Sequence, residues 1–402
     1  MKAVVFHEPG DIRLEEVDLP AIEQATDAII RITSSAICGT DLHFVRGTYS
    51  GMEAGTILGH EAVGVIEECG RSIRNLKPGD RVVVASTIAC GNCVYCRSGY
   101  YAQCDVANPN GLRSGTAFFG GPKTTGSFQG LQAEYARIPF ANVGLVRLPD
   151  EISDDQAILL SDIFPTGYFG AKLAEISEGD TVAVFGCGPV GLFAITSAFL
   201  EGAGRVFGID HQNDRLSIAR DLGAEIINFD QEDPVEVLLE LTAGIGPDRV
   251  IDAVGVDAEY PARDAPKSSS PQRSSFQAEL DQISDSGLAG HPWHPGDAPS
   301  LALQWAVSSV AKAGTIGVIG VYPPQLNTFP IGMAMGKNLA VNLGNCHHRK
   351  YLPELVRIVQ EGIIDPTRVL TCQKPISDVV SAYQSFDAHQ VGWTKVELDP
   401  SR

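Results

Sequence analysis

The chain has 402 residues, 44% of them hydrophobic, and a formal net charge of −19. That length exceeds one ordinary hydrophobic core and predicts two domains. The acidic balance excludes nucleic acid and an anionic membrane surface as natural partners. No apolar run approaches the ~20 residues of a membrane span, and MKAVVFHEPGD has no signal-peptide layout. With nine cysteines and a metal-type spacing among four of them, the chain is expected in a reducing cytoplasm.

The N-terminal third reads as short strands punctuated by Gly and Pro: Lys2–Phe6, Ala28–Ser34, Ala62–Glu67 and Arg81–Ala85. This is the texture of a β-rich, barrel-like domain whose loops carry sites. Two of those loops hold metal-compatible side chains, Cys38-Gly39-Thr40-Asp41-Leu42-His43 and Gly59-His60-Glu61. On their own, Cys38 and His60 read by default as a buried thiol and a core histidine.

The next segment is more specific. Cys90, Cys93, Cys96 and Cys104 follow one another in CGNCVYCRSGYYAQC. Short C-x2-C steps fold the backbone around one ion, and four thiolates complete a tetrahedral zinc site. Such a site is closed, so it implies a metal without implying catalysis there.

Residues 181–194, TVAVFGCGPVGLFA, place a buried strand (Val182–Phe185) before Gly186, Gly188 and Gly191 and a helix over Val190–Leu200. In this G-x-G-x-x-G the first glycine makes the turn and the second admits a pyrophosphate. The third packs helix on strand. A following strand, Arg205–Ile209, ends at Asp210, whose carboxylate suits both adenosine ribose hydroxyls and repels a 2′-phosphate, which favours NAD over NADP. Arg215 stands close by, where an Arg can support a 2′-phosphate, though with Asp210 in place it fits better flanking the adenine. Strands Ala224–Phe229, Arg249–Val254 and Thr315–Gly320 alternate with helices Asp214–Leu222, Pro234–Thr242 and Ala302–Ala313, which predicts a doubly wound parallel sheet. Within it, Asp257–Pro299 is polar and Pro-broken and reads as a long surface loop or a partly disordered insertion. There His291 and His294 flank Trp293, as a peripheral metal pair or, more simply, part of an adaptable lid or interface loop.

Taken together, CGTDLH, GHEAVGVIEECG, KPGDRVVV, the four-cysteine lobe, SDIFPTGYFGA and VFGCGPVGL resemble the zinc-dependent medium-chain alcohol dehydrogenases over essentially the whole chain. GSFQGLQAEYARIPFA and GNCHHRKYL (Gly344–Leu352) resemble the bacterial formaldehyde dehydrogenase branch in particular. The resemblance implies an α/β protein: a GroES-like β-rich catalytic domain at 1–155 and a Rossmann domain at 156–345 with an insertion at 257–299. Residues 346–402 return to the catalytic domain.

It further implies two Zn²⁺ per subunit, a structural one on the four cysteines and a catalytic one on Cys38, His60 and Asp162. Glu61 lies able to approach the catalytic ion, and Asp41 holds the His60 ring. Thiolate plus carboxylate balance the charge of the ion. Thr40 and His43 would pass the proton of a zinc-bound alcohol toward solvent while hydride goes to NAD. Pro189 and Val190 would line the pyrophosphate turn, Val254, Ile319 and Val321 flank the cofactor, and Asn345 and Cys346 lie near the nicotinamide. Gly39 stands where a basic residue is often found, and Lys395 is a candidate to supply the missing charge.

The implied substrate is a small alcohol or aldehyde: hydrated formaldehyde or its thiol adduct, with Tyr49, Phe118 and Phe119 shaping the pocket. A broader alcohol or polyol dehydrogenase, and an aldehyde-dismutating enzyme with tightly held NAD, stay open, as does a non-catalytic NAD-binding protein. A homodimer or homotetramer is expected, with Thr315–Val321 and Ala340–Leu343 available to pair sheets between subunits.

Overall fold

The computed structural model describes residues 1–264, 271–283, 293 and 295–402. They form two compact units: Met1–Pro165 with Trp293 and Cys346–Arg402, and the described residues of Thr166–Ser286 and Pro295–Asn345.

The first unit begins with eight strands: β1 (Lys2–Glu8), β2 (Asp11–Glu16), β3 (Ala28–Ile37), β4 (Thr56–Ile57), β5 (Ala62–Cys69), β6 (Arg81–Val84), β7 (Tyr135–Ile138) and β8 (Leu145–Arg147). β1 pairs with β2 and β4 in a small antiparallel sheet, while β3 runs antiparallel to both β5 and β7. β3 is buried along most of its length, and register shifts at Ile29/Ile30 and Ile32/Ser34 bend it. Such bulges curl a sheet and re-aim its ends. Around it Ile30, Ile32, Ala62, Val82, Val84 and Ile138 make the main core of this unit. Each large side chain contributes about 1.5–3 kcal/mol of burial.

The second unit carries β9 (Thr181–Phe185), β10 (Arg205–Asp210), β11 (Glu225–Asn228), β12 (Arg249–Asp252), β13 (Thr315–Val318) and β14 (Ala340–Leu343). All pair in parallel, in the order β11-β10-β9-β12-β13-β14. That is the doubly wound 3-2-1-4-5-6 order, with its switch point between the first and fourth strands. Ala340–Leu343, read from sequence as a segment for pairing across subunits, is the sixth strand of this sheet.

The polar stretch expected to be loop contains a helix, Pro271–Ile283, with Phe276, Glu279 and Ile283 buried. Proline at its first position is compatible with helix initiation, and the apolar residues recur at helical spacing. Trp293 is buried in the first unit, where its Nε1 donates to the Gly10 carbonyl at 3.2 Å. His291 and His294 lie outside the described residues.

The chain returns to the first unit through helix His348–Gln360, β15 (Cys372–Pro375), helix Val379–Asp387 and β16 (Val396–Asp399). β16 pairs antiparallel with β3, Val396 against Ile37, so Lys395 arrives beside the segment that leads into Cys38. Among the described residues no helix is long and apolar enough to cross a membrane.

Candidate active site and metal centres

Cys38 follows directly on β3 and is the N-cap of helix Gly39–Arg46. Its backbone N–H donates to Asp41 Oδ2 at 3.0 Å, so the first turn fixes both residues together. Thr40 and His43 sit three apart on the same helix and so share a face. The far end of the helix is anchored by a buried ion pair, Arg46 Nε to Asp387 Oδ1 at 2.6 Å.

His60 precedes β5 in a turn that needs glycine before it. Gly59 has φ +89°, and a Cβ there would come within 2.4 Å of the Gln132 side chain. Asp162 ends helix Asp154–Ser161, and the residue before it ties the segments together. Ser161 Oγ donates to Val84 O at 2.7 Å and accepts from Ala62 N at 3.0 Å.

These elements bring Cys38, His60, Glu61 and Asp162 into one buried cluster. Asp162 Oδ2 lies 3.3 Å from His60 Nε2 and 3.6 Å from Cys38 Sγ. Zinc bonds of about 2.0 Å to nitrogen and oxygen and about 2.3 Å to sulfur give tetrahedral edges of roughly 3.3 Å (N to O) and 3.5 Å (S to O). The donor atoms therefore stand at the spacing of a tetrahedral zinc site. On its far side, His60 Nδ1 lies 3.0 Å from Asp41 Oδ1, the carboxylate–histidine arrangement that orients a metal-binding ring.

Electrostatics couple the three side chains Cys38, His60 and Asp162. Burial pushes the Cys38 thiol up, and burial likewise works against a charged His60. Asp41, Cys38 and Asp162 nevertheless hold His60 well above the ordinary histidine value. Burial would raise the Asp162 carboxyl, but hydrogen bonds from His348 and His60 hold it well below the usual range.

Glu61 and Lys395 correct the sequence reading in part. Both are fully buried, and Lys395 Nζ reaches Glu61 Oε1 at 2.6 Å, Oε2 at 2.7 Å and the Ile37 carbonyl at 3.0 Å. Its three N–H groups are thereby taken, and none is left for the pyrophosphate expected from sequence. Burial raises the Glu61 pKa against the opposing pull of Lys395. Glu61 belongs to the ligand cluster by position, with its carboxylate held by the lysine.

The lobe cysteines Cys90, Cys93, Cys96 and Cys104 also converge, with Cys93 and Cys104 sulfurs 3.9 Å apart and all four free of disulfides. Backbone N–H groups point at the sulfurs: Asn92 and Cys93 to Cys90, Cys96 to Cys93, and Cys90 and Ala107 to Cys104, at 3.3–3.5 Å. Such donors favour thiolates. Burial pushes the Cys93 thiol up, but N–H donors of Cys96 and Asp105 and the neighbouring thiols bring it down to about 7. Four sulfurs in this cradle fit a closed zinc site.

In the second unit Gly186 takes φ +88°, and a Cβ at Gly191 would lie 1.8 Å from the Gly186 carbonyl oxygen. Gly188 is different: a Cβ there would meet nothing nearer than Arg215 Nη1 at 3.9 Å, so its open face admits a ligand. Gly188 caps helix Pro189–Leu200, with Pro189 and Val190 in its first turn. A phosphate fits that helix end. Asp210 closes β10, its Oδ2 accepting from Cys187 N at 2.8 Å and its Oδ1 from His211 N and Gln212 N at 2.7 and 2.9 Å. Val254 packs on Gly186. Val254 follows the carboxyl end of β12, Ile319 and Val321 follow β13, and Asn345 follows β14. Doubly wound sheets bind ligands at those strand ends. Cys346 belongs to the first unit, buried, its carbonyl accepting from Thr87 Oγ1 at 3.4 Å.

Phe118 stands edge-on to His60 at 6.3 Å and stacks on Phe44, which meets Tyr49. Phe119 is instead core.

Sequence reasoning missed His348, whose Nε2 lies 2.7 Å from Asp162 Oδ1. It also missed a buried chain in which Tyr383 donates to Gln132 at 2.8 Å and Gln132 donates to Asp41 at 3.3 Å. The pair His347-His348 inside GNCHHRKYL was the available signal for His348. Nothing in the spacing pointed to Gln132 or Tyr383.

Residues 24–150 match the family model of the alcohol dehydrogenase GroES-like domain, and 189–262 match that of the zinc-binding dehydrogenase. A zinc-type alcohol dehydrogenase-like protein of Bacillus subtilis is 37% identical, the match covering all of both chains. A glutathione-independent formaldehyde dehydrogenase of Pseudomonas aeruginosa is 31% identical over 96% of this chain and 95% of its own. The alcohol dehydrogenase of Thermus sp. ATN1 superposes with a TM-score of 0.81 at 32% identity, over 99% of each chain. The chain belongs to the zinc-type medium-chain alcohol dehydrogenase family, a family of oxidoreductases.

Proposed function

We propose that the protein is an NAD-dependent alcohol dehydrogenase for a small primary alcohol or a hydrated aldehyde, formaldehyde foremost, with one catalytic and one structural zinc per subunit. The observation that carries this reading is the convergence of Cys38, His60 and Asp162, with Asp162 Oδ2 3.3 Å from His60 Nε2 and 3.6 Å from Cys38 Sγ. Three protein ligands leave a tetrahedral ion one position for substrate, whereas the lobe's four cysteines leave none.

Cys38, His60 and Asp162 would hold the catalytic ion, which when bound acts as a Lewis acid that makes an alcohol oxygen acidic near neutral pH. NAD, when bound, supplies the hydride acceptor. The chain's own residues do the rest. Thr40, two residues past Cys38, offers a hydroxyl to the substrate oxygen, and His43 takes the proton onward. Phe118, Phe44 and Tyr49 provide an aromatic wall beside His60 that excludes water and suits a small substrate. Asp210 accepts the ribose hydroxyls, which favours NAD over its 2′-phosphate. Formaldehyde is supported by the GNCHHRKYL segment and by likeness to the Pseudomonas enzyme. A homodimer or homotetramer in a reducing cytoplasm suits free cysteines at both metal centres.

The test is a panel of formaldehyde, methanol, longer primary alcohols and polyols, each with NAD and NADP, with and without an added thiol. Cofactor reduction by formaldehyde or a short alcohol with NAD supports the reading. Reduction of NADP alone, or none with any substrate by zinc-replete protein, rejects it.

A further inference from the structure

The geometry points to His348 as a positioning residue that restricts Asp162 to one-oxygen ligation of the ion at Cys38 and His60. The inference rests on the metal reading above and goes beyond it. A carboxylate can bind a metal through one oxygen or two, and the choice decides how many positions remain for substrate. Here the two oxygens of Asp162 face different partners. Oδ2 lies 3.3 Å from His60 Nε2 and 3.6 Å from Cys38 Sγ, and Oδ1 lies 2.7 Å from His348 Nε2. A carboxylate only accepts, so His348 presents its Nε2–H to Oδ1.

The ring is held from behind. His348 Nδ1 lies 3.1 Å from Thr87 Oγ1, and Thr87 lies 3.4 Å from the Cys346 carbonyl. His348 opens helix His348–Gln360 and is buried, as are Thr87 and Asp162. The three side chains form a series of contacts, Thr87 to His348 to Asp162, that engages Oδ1, while Oδ2 faces His60 and Cys38. Asp162 departs from the helix Asp154–Ser161 with φ −139° and ψ −63°, and the His348 contact engages its Oδ1.

The test keeps zinc in the cysteine lobe and places cobalt(II) at the Cys38 centre of the full-length protein. Wild type is expected to show the intense visible absorption of a four-coordinate ion. His348→Leu should weaken and shift that absorption toward a five-coordinate ion and lower metal retention against a chelator by about 10- to 100-fold. His348→Gln, which keeps an N–H donor, should restore part of both. Thr87→Val should shift the spectrum in the same direction by less, and serves where His348→Leu does not fold. Unchanged spectra and retention in His348→Leu and Thr87→Val overturn this inference alone. A wild-type protein that binds metal only at the lobe overturns the metal reading and this inference together.

Discussion

Lys395 Nζ lies 2.6 and 2.7 Å from the two carboxylate oxygens of Glu61, and both side chains are fully buried. Glu61 follows His60 in sequence, and Lys395 donates to the carbonyl of Ile37, one residue before Cys38. The pair therefore couples the segment entering the last strand to the candidate metal-binding residues. Its charges are far from water, so each stabilises the fold only while the other is present.

Removing one partner should be costly. Lys395→Met leaves Glu61 buried without its cation and is expected to destabilise the protein by about 3–5 kcal/mol. The double variant Glu61→Gln with Lys395→Met removes both charges and should recover most of that loss. Urea unfolding of the three proteins measures this. Equal stability of wild type and Lys395→Met would contradict a structural role for the pair.

On the proposed reading Asp210 has two duties, one structural and one in cofactor choice, that separate experimentally. Its carboxylate accepts from Cys187, His211 and Gln212 backbone N–H groups. Asp210→Ala should cost about 1–3 kcal/mol through those orphaned donors. The same change removes repulsion of a 2′-phosphate, with Arg215 close to the glycine turn. The ratio of kcat/KM for NADP over NAD should rise by about tenfold or more. Steady-state kinetics with both cofactors read it, and an unchanged ratio would remove Asp210 from cofactor selection.

Asp252 gives a pH-dependent prediction. Burial raises its pKa against hydrogen bonds from Tyr322, Gly255 and Val254. An acid whose folded pKa is raised holds its proton more tightly folded than unfolded, so its contribution to stability falls as pH rises through that window. Asp252→Asn keeps an acceptor for the two N–H groups and offers a donor to Tyr322. Its stability relative to wild type should improve as pH rises above the ordinary aspartate range, where the buried Asp252 must give up its proton. Thermal midpoints across that rise report the trend. A constant difference would show that Asp252 carries no such penalty.

Much of this architecture was legible in the chain because its signals are local. The glycine turn, Asp210 at the end of β10 and the cysteine lobe each depend on spacing within about one supersecondary unit. The candidate catalytic cluster is different. Asp162 lies 102 residues beyond His60, and Lys395 meets Glu61 across 334 residues through the pairing of β16 with β3. No periodicity encodes such contacts, so Asp162 came from resemblance, while His348 and the Lys395–Glu61 pair emerged from structure. The Pro271–Ile283 helix was missed for another reason. Its composition is polar, but Phe276, Leu280 and Ile283 recur at helical spacing, a signal that outranks composition.

Two metal centres of different kinds, one open and one closed, underlie everything proposed for this protein, and zinc content per subunit tests them together. Wild type should retain two zinc ions after desalting, and Cys38→Ser should lose the one at Cys38, His60 and Asp162 together with alcohol-dependent NAD reduction. Cys96→Ser should lose the lobe ion and stability, and the Cys38 centre should keep its own. Equal zinc in wild type and Cys38→Ser, or full turnover by Cys38→Ser, would contradict a catalytic ion at Cys38.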